Sequence, residues 1–216
     1  MTPTTLRDIR DERSRALYPT DLLGQADSAL LLFAAGMHGA NDGIWIHDAK
    51  IPHVTAVDLD GDKLATMAKL YGTNNGWKFI DADVYAWVSW ERNAADRAVY
   101  DLVSVDPQIS QAGQCLDWLP AWCSLAHQTV VLGIMQTQVD EHDLYSLNYA
   151  LTPRGWYCDR VTRRNDTAHW AVFRKQGASA TRPALRAAAE ASALPVVLPF
   201  DGPPSDPPQV AEVRAG

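Results

Sequence analysis

Ala29-Leu30-Leu31-Leu32-Phe33-Ala34-Ala35-Gly36-Met37-His38-Gly39-Ala40-Asn41-Asp42-Gly43 joins an unbroken apolar run to a turn of small residues. A short continuous apolar run bounded by glycine-containing sequence suits a strand buried on both faces. Small residues at 34, 35, 36 and 39 let a ligand come close to the backbone. They also leave amide N–H groups available at the start of the next helix. A tight turn with no ligand reads the same way, so the remainder of the chain has to decide.

Outward from this turn, strand-like and helix-like stretches alternate. His53–Asp58, Trp77–Asp81, Tyr100–Asp106 and Gln128–Ile134 read as further strands. Asp62–Tyr71, Asp83–Arg92, Gln111–Leu125 and Glu141–Leu151 are helix-length segments; Leu64, Met67, Ala68 and Tyr71 share one helical face. This alternation predicts an α/β fold with a parallel sheet covered on both sides. Gly155–Arg163 and Ala168–Arg174 break the pattern, because only Arg164-Asn165-Asp166-Thr167 lies between them. That link is too short for a parallel crossover, so the two strands must pair antiparallel. An open dinucleotide-binding sheet normally continues with parallel strands instead.

The flanks read differently. Thr4–Leu17 has the mixed-charge pattern of one helix, giving an N-terminal helical extension over residues 1–27 before the domain at 28–176. From Gly177 the composition shifts to Ala, Pro and Ser, with six prolines between Pro195 and Pro208. Residues 177–216 are expected to be a disordered tail.

A chain of 216 residues accommodates one well-buried α/β domain with appendages. Its hydrophobic fraction of 47% and charged fraction of 21% are ordinary globular values. No apolar stretch is long enough to span a bilayer, and Thr2–Arg15 is polar and charged, so a soluble, cytoplasmic protein is expected. The net charge of -7 argues against a broad nonspecific grip on nucleic acid. Residues 151–176, with six basic side chains against two acidic ones, offer only a local basic edge. Cys115, Cys123 and Cys158 are odd in number and lack C-x-x-C spacing, which argues against both a disulfide framework and a zinc site and points to small buried or half-buried hydrophobes.

Three acids fall where the ends of strands are expected. Asp58 closes the second strand, where a carboxylate can accept both hydroxyl protons of a ribose. Asp83, in Ile80-Asp81-Ala82-Asp83-Val84, follows the third and suits the amino group of an adenine. Asp106-Pro107 ends the fourth. Any one of these acids alone reads as a helix cap or a solvated group. With the small-residue turn they converge on the carboxyl edge of the sheet, where open α/β folds bind ligands.

In these features the chain resembles the class I S-adenosylmethionine-dependent methyltransferases over residues 28–175, terminal hairpin included. The resemblance implies a Rossmann-like sandwich with a mostly parallel seven-stranded sheet and S-adenosyl-L-methionine as cofactor. It implies that Ala34, Gly36 and Gly39 cradle the methionine part, Asp58 holds the ribose, and Asp83 with Val84 contacts the adenine. The best local likeness is to nucleic-acid base methyltransferases, in Phe33-Ala-Ala-Gly36 and in the strand leading into Asp106-Pro107. There a D-P-P-[YF] motif accepts an exocyclic amine and stacks an aromatic ring on the flipped base. Asp106 and Pro107 are the implied catalytic residues; Gln108 and Ile109 stand in place of the second proline and the aromatic. The implied activity is methyl transfer to an unidentified acceptor, with a nucleic-acid base as one candidate.

Two alternatives stay open at this point. Ala34-x-Gly36-x-x-Gly39 with Asp58 approximates the dinucleotide fingerprint of an NAD-dependent oxidoreductase, without its first glycine. A methyltransferase-like domain without turnover, working as a binding module, is the other. His38, inside the turn, can contact a cofactor carboxylate or act as a base. His47, His53, His127, His142 and His169 are scattered and predict no metal site. Trp87, Trp90, Trp118 and Trp122 read as helix packing.

Overall fold

A computed structural model describes residues 18–34, 42–72, 76–107, 112–135, 148–164, 168–177 and 211–213; of 112–116, 135 and 211–213 it describes the backbone alone. The strands are β1 (Ser28–Leu32), β2 (His53–Asp58), β3 (Trp77–Asp81), β4 (Tyr100–Val105), β5 (Ala126–Met135), β6 (Trp156–Arg163), β7 (Ala168–Lys175) and β8 (Ala211–Val213). Among the described residues, α1 (Gly43–Asp48), α2 (Gly61–Tyr71), α3 (Val84–Asn93) and α4 (Ala112–Ser124) are α-helices. A 3-10 turn over Thr20–Gln25 leads into β1. The expected helix at Thr4–Leu17 lies outside the described residues, and of the expected Glu141–Leu151 helix only 148–151 is described, as helix.

The sheet order is β6-β7-β5-β4-β1-β2-β3-β8. Strands β1 to β5 are mutually parallel. β7 inserts antiparallel between β5 and β6, as the four-residue hairpin link demands. The order reverses between β1 and β4, so the crevice above that pair is the switch point of the fold. β8 falls in the stretch read as disordered tail: it pairs antiparallel with β3, Asp81 opposite Ala211. An edge strand otherwise presents a row of unpaired N–H and C=O groups, and three residues of Ala-Glu-Val cover part of that row.

Burial follows the strand reading. β1 has four fully buried residues in succession, and β4 is buried along its whole length. One core layer gathers Leu30, Leu32, Val103, Val130, Trp87 and Trp122 beneath α3 and α4. The opposite layer gathers Leu31, Ala56, Leu102, Met67, Tyr71 and Trp170 beneath α1, α2 and the 3-10 turn. Trp87 and Trp122 pack in the core as expected, whereas Trp90 is 38% exposed. Among the described residues no helix is long and apolar enough to cross a membrane.

Candidate functional site at the carboxyl edge of the sheet

The carboxyl ends of the central strands are laced together by backbone hydrogen bonds beyond the ladders. Ala34 N–H donates to the Val57 carbonyl (3.3 Å), Ala82 N–H to the Asp58 carbonyl (2.9 Å) and Asp106 N–H to the Leu32 carbonyl (3.2 Å). The positions after β1, β2, β3 and β4 are therefore fixed relative to one another. That is what a site assembled from four strand ends needs.

The turn after β1 opens with Phe33 at φ 58°, a left-handed conformation uncommon for a residue other than glycine. Holding it costs on the order of 1–3 kcal/mol, and such residues cluster at ligand sites. The Phe33 ring offsets part of that cost by meeting Tyr85 edge-on at 5.5 Å, and Tyr85 in turn meets Trp118 at 5.0 Å. Ala34 is buried. Gly36, Gly39 and His38 lie outside the described residues.

Asp58 ends β2 half-buried, and its Oδ1 accepts the backbone N–H of Asp60 at 2.9 Å. That bond bends the chain sharply, and Leu59, between the two acids, is left 69% exposed. An apolar side chain held in solvent beside a carboxylate is an unsatisfied surface at the sheet edge. The sequence reading missed it. Its signal was the apolar residue in Asp58-Leu59-Asp60 immediately after a buried strand. Asp60 caps α2 by accepting from Lys63 N–H (3.1 Å) and pairs with Lys63 Nζ (2.7 Å). Its hydrogen bonds to Lys63 hold its carboxyl below the ordinary aspartate value. A Cβ on Gly61 would run into the Asp81 carboxylate, so glycine is what lets α2 begin so close to β3.

Asp83 is exposed and is the N-cap of α3: its Oδ1 accepts the Ala86 N–H at 2.8 Å. This is the capping role available to any such acid. Oδ2 has no partner among the described residues and remains available to a donor from outside. Val84 is 3% exposed and belongs to the core layer.

Asp106 is brought to the expected end of β4 and is 8% exposed. Both of its oxygens are taken: Arg164 Nη1 donates to Oδ1 (2.5 Å) and Nη2 to Oδ2 (2.9 Å). Arg164 lies just past β6 at the start of the hairpin turn, where its own N–H donates to the Ala168 carbonyl at 2.9 Å. Its guanidinium sits 4.5 Å above the Trp170 ring, a cation–π contact. Gly133 makes the room: a Cβ there would stand 2.9 Å from Asp106 Oδ1 and 3.2 Å from Arg164 Nη1. Trp170 meets Tyr18 edge-on at 5.2 Å, and Tyr18 Oη donates to Ser104 Oγ at 3.0 Å. Pro107 follows, half-buried.

Among the described residues no group of three or more His, Cys, Asp or Glu side chains converges as a metal site would require. Burial pushes the Cys123 thiol far above its ordinary value, and Cys158 shifts the same way. Both read as inert hydrophobes.

The chain matches no protein-family model and no curated protein. Solved structures do resemble it. The O-methyltransferase TomG from Streptomyces achromogenes, involved in tomaymycin synthesis and solved with SAM, superimposes with a TM-score of 0.50 at 12% identity, over 80% of this chain and 88% of that one. The plantazolicin methyltransferase BpumL, solved with SAH, gives 0.50 at 11% identity, over 79% and 90%. At such identities the likeness is one of architecture. With five parallel strands, a reversed order at β1/β4 and an antiparallel β7 inserted beside β5, the chain has the fold of the class I S-adenosylmethionine-dependent methyltransferases.

Proposed function

We propose that this chain binds S-adenosyl-L-methionine across the carboxyl ends of β1, β2 and β3 and transfers its methyl group to an acceptor held above β4. The observation that carries the reading is the pairing of Asp58 with the exposed Leu59 one strand away from the switch point. Together they offer a carboxylate for a sugar and an apolar face for a base.

The residues present fit the cofactor by their chemistry. Asp58, half-buried at the end of β2, is an acceptor-only carboxylate of the kind that takes the hydroxyl protons of a ribose. Leu59 would cover one face of an adenine, and Asp83 Oδ2 would accept its amino group. Ala34, with the neighbouring Gly36 and Gly39, leaves little side-chain bulk against the methionine end. When bound, the cofactor supplies an electrophilic methyl group on a sulfonium. Alignment of the acceptor and exclusion of water then do most of the catalytic work. The Asp106–Arg164 pair, backed from the core by Trp170, stands at the β4 end, where an acceptor would be aligned.

The antiparallel insertion of β7 favours this reading over nicotinamide chemistry, whose sheets extend with parallel strands. Isothermal titration of the full chain with S-adenosylmethionine, S-adenosylhomocysteine and NAD tests it. The two adenosyl ligands are expected to bind and NAD is not. Binding of NAD alone would reverse the assignment.

A further inference from the structure

Asp106 is the acid that the resemblance casts as a receiver of an exocyclic amine, yet its carboxylate is turned inward onto Arg164. The ion pair is nearly closed to solvent, with side-chain exposures of 7% for Asp106 and 13% for Arg164. Three features make it a built arrangement rather than a chance surface contact. The pair is bidentate, which fixes the plane of the guanidinium. Trp170 supports one face of that plane. Gly133 supplies the space that any side chain would fill.

An arginine carries five N–H donors and no acceptor. Asp106 engages two of them, and the other three meet no acceptor among the described residues. A donor-only group at this place cannot receive an amine, which brings donors of its own. It suits oxygen lone pairs. We propose that Arg164 is the specificity-determining residue of the acceptor site, and that it anchors an oxyanion of the acceptor, a carboxylate or a phosphate. Asp106 is then a positioning residue, acting through the guanidinium it holds. This inference rests on the methyl-transfer reading and deepens it. The oxyanion is the handle by which the acceptor is held, not the atom methylated.

The pairing with Asp106 also explains why an arginine is tolerated here before any substrate arrives. An unpaired guanidinium at this depth would suffer the full loss of its hydration, whereas the paired one is neutralised in place. An incoming anion meets a fork whose orientation is already set, so little rotamer entropy is lost on binding.

The test uses the full chain saturated with S-adenosylhomocysteine, titrated calorimetrically with benzoate, phenyl phosphate and benzylamine. One of the two anions is expected to bind about tenfold or more tighter than the amine, and which one it is separates carboxylate from phosphate acceptors. Arg164→Met is expected to weaken that anion by about tenfold or more, with Arg164→Lys intermediate because it keeps charge but loses the fork. S-adenosylhomocysteine affinity, unchanged within about twofold in both variants, reports that the fold is retained. A preference of the wild-type chain for benzylamine would overturn the proposal whether or not the variants fold. So would no binding of either anion, or anion binding indifferent to Arg164→Met. If S-adenosylhomocysteine itself fails to bind the wild-type chain, the methyl-transfer reading fails first, and the acceptor assignment built on it goes too.

Discussion

The two halves of the carboxyl edge treat their acids in opposite ways. Past β2 and β3, Asp58 and Asp83 are half-buried or exposed, each accepts a backbone N–H two or three residues on, and an exposed Leu59 follows Asp58. Past β4, Asp106 is buried, and its partner comes from a hairpin 58 residues away, stacked on a tryptophan. A local bond closes the loop at its own strand end. A long-range buried pair ties distant segments together. The same residue type at equivalent strand ends therefore shapes a local turn on one side and joins remote parts of the chain on the other. Asp101 repeats the constructive role at the opposite end of β4, accepting from the Asp27 and Ser28 N–H groups and from Ser28 Oγ at 2.9–3.0 Å.

The contrast can be broken by mutation. The largest effect is expected from Asp106→Ala, which strands the Arg164 charge and should lower unfolding free energy in urea by about 3–5 kcal/mol. Removing both charges together, as Asp106→Leu with Arg164→Met, should recover most of that loss; no recovery would mean the pair is not the source of the cost. Asp58→Asn is expected to do the reverse. Stability should stay within about 0.5 kcal/mol, while affinity for S-adenosylmethionine drops by an amount typical of hydrogen bonds to a charged group, about 1.5–3 kcal/mol by calorimetry. Asp83→Ala sits between the two halves, losing a helix cap worth about 1 kcal/mol in thermal or urea unfolding.

The smallest effect concerns pH. The carboxyl of Asp60 is held below its ordinary value of 3.8, chiefly by its hydrogen bonds to Lys63. A depressed carboxyl contributes stability that is present above the unfolded value and is lost as pH falls through the folded one. Asp60→Asn keeps a capping side chain but removes this dependence. The urea midpoint of the variant is expected to fall less steeply than that of the wild type as pH drops below 3.8.

Much of the architecture was legible because burial leaves a plain mark. Strands covered on both faces read as apolar runs, and the short Arg164–Thr167 link forced an antiparallel hairpin whatever the rest of the fold did. β8 was not legible. Three residues within an Ala- and Pro-rich stretch carry no periodicity, and their pairing depends on an open edge of β3 far away in sequence. Within the site, Asp58, Asp83 and Asp106 were located by strand ends, but position alone could not tell a cap from a ligand or from half of an ion pair. Arg164 was counted as part of a basic edge. Gly133, isolated in Thr129-Val-Val-Leu-Gly-Ile134, was the clue to its destination, since a lone glycine inside a strand marks a close approach. Leu59 was readable in principle as an apolar residue between two acids. Its exposure comes from the bend that Asp58 imposes, and composition cannot supply that.

A crystal structure of the chain with S-adenosylhomocysteine puts the central assignment to the sharpest test. The account predicts the ribose hydroxyls within hydrogen-bonding distance of the Asp58 carboxylate, the adenine against Leu59, and Asp106 still paired with Arg164. A nucleoside bound elsewhere, or an Asp58 carboxylate that makes no contact with the sugar, would contradict it.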